Sequence, residues 1–156
     1  MPRTTKDARS RVLSTAGEEA QRRGDARIGS EHLLLALLHD PDALATRVLD
    51  VDRATAHAAL VELDRMALAA IGIEVPHLHA DVPVHSRRRP PLTSAARAVL
   101  HRAATAATSV RARTVQTRHL LLGVLDCTPP DPAASLLTAV GVDPAAARRR
   151  LTALET

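Results

Sequence analysis

The chain has 156 residues, 46% of them hydrophobic, with no Phe, Tyr or Trp and a formal net charge of +4. That length suits one domain or two small joined units, and no stretch approaches the roughly 20 uncharged apolar residues of a membrane span. Leu, Ala, Val and Ile must therefore fill the core, while the aromatic platforms on which single-stranded nucleic acid stacks are absent.

The first seven residues, Met1 to Asp7, lack the apolar core of a signal peptide. The expected location is cytoplasmic, with no membrane partner. Val12, Leu13, Ala16 and Ala20 then fall three and four apart, the spacing of one helix face. Gly24 and Gly29 punctuate the turn to a second helix, and Ser30 is placed as its N-cap because a hydroxyl there accepts a free backbone N–H. The run Leu33–Leu38 is apolar almost all round, so that helix is expected to be buried on most sides. Pro41 suits the first turn of a third helix, and a fourth follows over Arg53–Ala70.

The segment Gly72–Pro91 holds Pro76, Pro83, Pro90 and Pro91, which stop helices and stiffen a linker. Beyond it the pattern begins again: Val99, Leu100, Ala103 and Ala107 on one face, Thr117 at an N-cap, the apolar run Leu120–Leu125, Pro132 opening a third helix and a fourth over Pro144–Leu154. No alternating strand is evident.

This recurrence has an offset of 87 residues and gives ten identities over the 33 positions from 8 to 40. They include His32-Leu33-Leu34-Leu35 against His119-Leu120-Leu121-Leu122, which low complexity does not explain. An internal duplication does. The expected architecture is all-α: eight helices in two pseudo-symmetric four-helix repeats. The first repeat spans 1–75, a Pro/His/Arg-rich linker 76–91 and the second repeat 92–156, together one compact domain. One copy alone has a marginal core, so the apolar second helices must shield each other.

The segments Val12-Leu13, Glu18-Glu19-Ala20 and Ile28-Gly29-Ser30-Glu31-His32-Leu33-Leu34-Leu35, with the echo Thr117-Arg118-His119-Leu120-Leu121-Leu122-Gly123-Val124-Leu125, resemble the N-terminal domain of Clp unfoldases. These ring ATPases feed proteins to a partner protease. The resemblance covers about Thr5 to Leu154. It implies the eight-helix, two-repeat plan and a role in docking adaptors and substrates. In some such domains each repeat holds a pocket for phosphorylated arginine. The resemblance places a threonine at the start of the first helix against the phosphate and a glutamate beside the histidine motif against the guanidinium. Here the first copy keeps Glu31 but has Lys6 in the threonine place. The second keeps Thr93 but has Arg118 in the glutamate place, where it would repel a guanidinium. No Gly-x-x-x-x-Gly-Lys-Ser/Thr loop occurs, so the chain is expected to be a free-standing N-domain without the ATPase motor, or a fragment of something longer; the sequence leaves both open.

The remaining candidates have plainer readings. His32 and His119 lack an evident nucleophile or acid partner and are expected to hydrogen-bond the turn. His77, His79 and His85 have no completing ligand set, so neither metal nor cofactor is expected. Cys127, the single cysteine, reads as apolar filler near a helix end. Residues 1–75 hold 10 Lys+Arg and 12 Asp+Glu, a balance of −2, against 11 and 5, or +6, in residues 76–156. The basic runs Arg87–Arg89 and Arg148–Arg150 lie there, yet adjacent helix residues do not share a face. The expectation is a non-enzymatic module that binds a Clp unfoldase, an adaptor or a substrate polypeptide. The rivals are a DNA-binding regulator using the basic second half and a small-molecule sink. Oligomeric state is left open by the sequence.

Overall fold

The computed structural model describes residues 7–41, 43–74 and 88–154. Its first helix, α1 (Ala8–Arg22), buries Val12, Leu13, Ala16, Gly17, Glu19 and Ala20, the face that the spacing predicts. The chain then folds through α2 (Ser30–Leu37), α3 (Leu44–Leu49), α4 (Arg53–Ala70), α5 (Ser94–Ser109), α6 (Thr117–Leu125), α7 (Pro132–Ala139) and α8 (Pro144–Ala153). Those eight helices, with no extended strand, form the fold among the described residues. Pro132 is the first residue of α7. Pro41 does not open α3, which begins three residues later at Leu44.

α1 and α5 end alike. The N–H of Asp25 reaches Ala20 O at 2.8 Å and that of Gly24 reaches Gln21 O at 3.0 Å; Ala112 reaches Ala107 O at 2.9 Å and Arg111 reaches Thr108 O at 3.0 Å. This is one capping motif, which needs a left-handed residue after the helix. Gly24 supplies it at φ 71°, whereas in the second repeat Arg111 is forced to φ 57°.

The core sits between the repeats. Leu33, Leu34, Leu35, Leu120, Leu121 and Leu125 are 2% exposed or less, as expected of helices apolar on nearly every side. Contacts across the middle are reciprocal. α2 packs on α7 as α6 packs on α3; α4 packs on α7 as α8 packs on α3; α2 and α6 pack on one another. Exchange of partners of this kind is what a two-fold rotation produces. In α4 only Ala56 and Leu60 are buried, and in α8 only Ala147 and Leu151. These pairs correspond at an offset of 91, four more than for the first two helices. The extra residues are Cys127–Pro130, between α6 and α7.

One short backbone pairing joins the halves outside the core. Ile28 N–H donates to Pro91 O at 2.8 Å and Thr93 N–H donates to Ile28 O at 2.9 Å, a parallel bridge between Ile28 and Leu92. It ties the start of α5 to the turn before α2.

Candidate functional site

Both histidine motifs work as caps. Gly29 N–H donates to His32 Nδ1 at 2.8 Å, and Gln116 N–H donates to His119 Nδ1 at 2.9 Å. The N-cap residues are therefore Gly29 and Gln116, and Ser30 and Thr117 are the first helical residues rather than the caps expected of them. The ring three positions into the helix takes the cap residue's own N–H, the part that Glu or Gln plays in a capping box.

The accepting Nδ1 fixes the tautomer of His32 with its proton on Nε2, 2.7 Å from Asp25 Oδ2. Arg23 Nε donates to the same carboxylate at 3.1 Å and its other end pairs with Asp64 of α4. Burial opposes ionisation of Asp25, but the hydrogen bond from His32 and the Arg23 charge outweigh it and hold the carboxyl below its usual range. In α1, Glu19 is 1% exposed and is bound by Arg53 Nε at 2.6 Å, with Arg22 at 3.6 Å. The first repeat thus fastens α4, which fully buries two apolar residues, through one ion pair from α1 and one from the residue that follows it. Sequence reasoning missed both, since the partners are 34 and 41 residues apart.

Of the four residues taken from the family pattern, the three that are described stand at three different helix starts. Lys6 lies outside the described residues. Glu31 sits in the first turn of α2, and its carboxylate folds over Gly29 so closely that a Cβ there would collide with it. The helix dipole favours an acid at that point. Glu31 Oε2 is buried and has no hydrogen-bond partner among the described residues. Thr93 caps α5, accepting from Ala96 N–H at 3.1 Å. Arg118, half-buried, takes the place of Glu31 on α6. His77, His79, His85 and Arg87 lie outside the described residues, and among those described no cluster of His, Cys, Asp and Glu could hold a metal. Arg148 is engaged with Leu125 O at 2.9 Å and with Asp126, closing the end of α6.

The seam between the repeats differs at its two ends. At one, Ser30 Oγ donates to Asp131 Oδ1 at 2.6 Å, and Ala133 N–H donates to both, so α2 helps to cap α7. At the other end a cleft of about 350 Å³ opens among α1, the end of α2, the start of α3 and Thr117 of α6. Val12, Ala36, Leu37 and Leu44 give it an apolar floor, with Arg11 and Asp40 among its polar lining residues.

Two all-helical repeats shielding one core, the second helix of each started by a capping histidine, define a duplicated helical domain with its concave surface at the seam. The chain belongs to the Clp repeat (R) N-terminal domain family, which it matches over residues 3–126 and again over 91–156. Over 56 residues it is 39% identical to the "ATP-dependent Clp protease ATP-binding subunit ClpC" of Staphylococcus saprophyticus, and 39% identical to the same subunit of Staphylococcus aureus. Each match covers 36% of this chain and 7% of the relative's length. The crystal structure of the N-terminal domain of the caseinolytic protease associated chaperone ClpD from Arabidopsis thaliana superposes with a TM-score of 0.66. It covers 99% of this chain and 98% of that one at 16% identity, so it speaks for the fold. No helix among the described residues is long and apolar enough to cross a membrane.

Proposed function

We propose that this domain is a non-enzymatic docking module of regulated proteolysis, engaging a Clp unfoldase, an adaptor or a protein substrate. The observation that carries the reading is the Clp N-domain architecture itself, matched across the chain and displaying an open cleft at one end of the seam while the other end is shut. The direct test immobilises the domain and presents a purified ClpC-type unfoldase, its adaptors and an unfolded client. Saturable binding of at least one supports the reading; failure to retain any of them at tens of micromolar would sink it.

Phosphoarginine is a second ligand to test, and the first repeat is where it belongs. Glu31 keeps an orphaned buried oxygen for a guanidinium, whereas Arg118 brings a like charge to the second. Titration with free phosphoarginine should perturb residues around Gly29 and Glu31, and Glu31→Ala should abolish the effect.

A further inference from the structure

The molecule shows what belongs in its own open cleft. Superimposing the repeats by sequence offset places Thr15 on Arg102, Ala36 on Gly123 and Thr117 on Ser30. Asp40-Pro41 falls on Asp131-Pro132 once the four extra residues Cys127–Pro130 are set aside. In the second repeat the position corresponding to the cleft is full. Arg102 crosses it, donating from Nε at 3.1 Å and from its terminal nitrogen at 2.9 Å to Gly123 O, and from that same terminal nitrogen to Cys127 Sγ at 3.1 Å. Cys127, 7% exposed, fills the space, its Sγ 3.8 Å from Gly123 O. The Ser30–Asp131 hydrogen bond closes the edge.

The first repeat lacks each of these parts. Thr15 is too short to cross, no inserted loop follows α2, and Thr117 and Asp40 line the void instead. The backbone frame is shared, so the steric and chemical demands of the two positions are alike: a small apolar side chain on a turn, where Cys127 N–H donates to Val124 O at 3.0 Å and Asp131 N–H donates to Thr128 O at 3.0 Å, with prolines beginning two residues after it. The lining supplies charges of both signs, Arg11 and Asp40, which suit the amide dipoles of such a segment.

We propose that this cleft docks a loop of a partner protein that presents a small apolar side chain beside proline, in the manner in which Cys127 occupies the second repeat. The proposal rests on the protein-docking reading above and names its surface and the chemistry of its occupant.

The probe is the blocked hexapeptide Asp-Cys-Thr-Pro-Pro-Asp, the sequence of residues 126–131, titrated into the isotopically labelled full chain. Amide shifts confined to Val12, Thr15, Ala36, Leu37, Leu44 and Thr117 are expected. They should be lost when the peptide's cysteine is replaced by aspartate. Thr15→Arg, which copies the residue already tolerated at 102, should weaken binding at least ten-fold, and Ala8→Arg at the cleft lining should do the same. Unchanged amide positions elsewhere show that each variant is folded. No shifts at millimolar peptide, shifts elsewhere, or full binding by both variants overturns the proposal. So does dimerisation through this face in sedimentation, or peptide binding that appears only after residues 2–6 are removed. If a Clp component binds wild type and Thr15→Arg equally, the cleft proposal fails while the docking function stands. If no Clp component binds but the peptide does, the function fails and the cleft stands.

Discussion

The two repeats share a backbone but hold it in different ways. The first is polar at its joints: Glu19 with Arg53, Arg23 with Asp64, and His32 with Asp25. In the second, Ala106, Val110 and Ala112 stand where Glu19, Arg23 and Asp25 stand in the first, and the fit comes from close approach together with Arg102 on Gly123 O and Arg148 on Leu125 O. Gly123 lets α6 press on α5, where an added Cβ would lie 2.6 Å from Val99 O. After duplication, then, one capping geometry is kept while its surroundings diverge: arginines meet carboxylates in the first copy, and in the second Arg102 and Arg148 reach main-chain oxygens of α6. The histidine is the part both retain, because the N–H it satisfies is a property of the backbone and not of the neighbours.

The sharpest way to test that contrast is to remove each histidine. His32→Ala leaves a buried N–H and an Asp25 stripped of its partner, and should cost about 3 kcal/mol. His119→Ala should cost about 1 kcal/mol less, since Ala112 offers no carboxylate. Paired denaturant melts measure the difference; equal losses would show that the Asp25 network adds nothing. Next in size, Gly123→Ala forces α6 away from α5 and should cost about 2 kcal/mol. The mirror change, Ala36→Gly in α2, should cost about 1 kcal/mol through backbone entropy alone.

Arg111 is the place to reverse the sign. Its left-handed backbone favours glycine, so Arg111→Gly should stabilise by about 1 kcal/mol, and Gly24→Ala should destabilise by a similar amount. The smallest effect is acid sensitivity. Asp25 ionises more readily folded than unfolded, so the stability it contributes is complete above its unfolded pKa near 3.8 and falls away as pH drops through the lower folded value. Asp25→Asn should lower stability at neutral pH by that contribution and flatten the acid limb, so that the two proteins converge in melts taken between about pH 5 and pH 2.

Much of the fold was legible because duplication writes the same helix pattern twice. The burial of Leu33–Leu38, the extent of Arg53–Ala70 and the all-helical plan follow from periodicity and repetition. Ser30 and Thr117 fall one residue inside the true caps because the signal at each cap is a histidine reaching back to the cap residue's N–H, the part Glu or Gln usually plays, and not a hydroxyl at the cap itself. Pro41 misled for a related reason: proline fixes its own φ but does not decide where hydrogen bonding begins. The cleft was hidden because a void has no sequence of its own. Its signal was indirect, in the change of offset from 87 to 91 between Leu125 and Asp131.

Burial also pushes the Cys127 thiol up to about 11, so it is inert at neutral pH and serves as packing.

The seam has a further consequence. Ser30 caps a helix that belongs to the opposite half, and the contacts across the middle are exchanged in pairs, so each half is the natural lid of the other. A half expressed alone would carry a surface already shaped to meet its own twin. The fused chain is, in effect, a homodimer whose subunits were tethered and then allowed to diverge, and separated halves mixed together should find one another again.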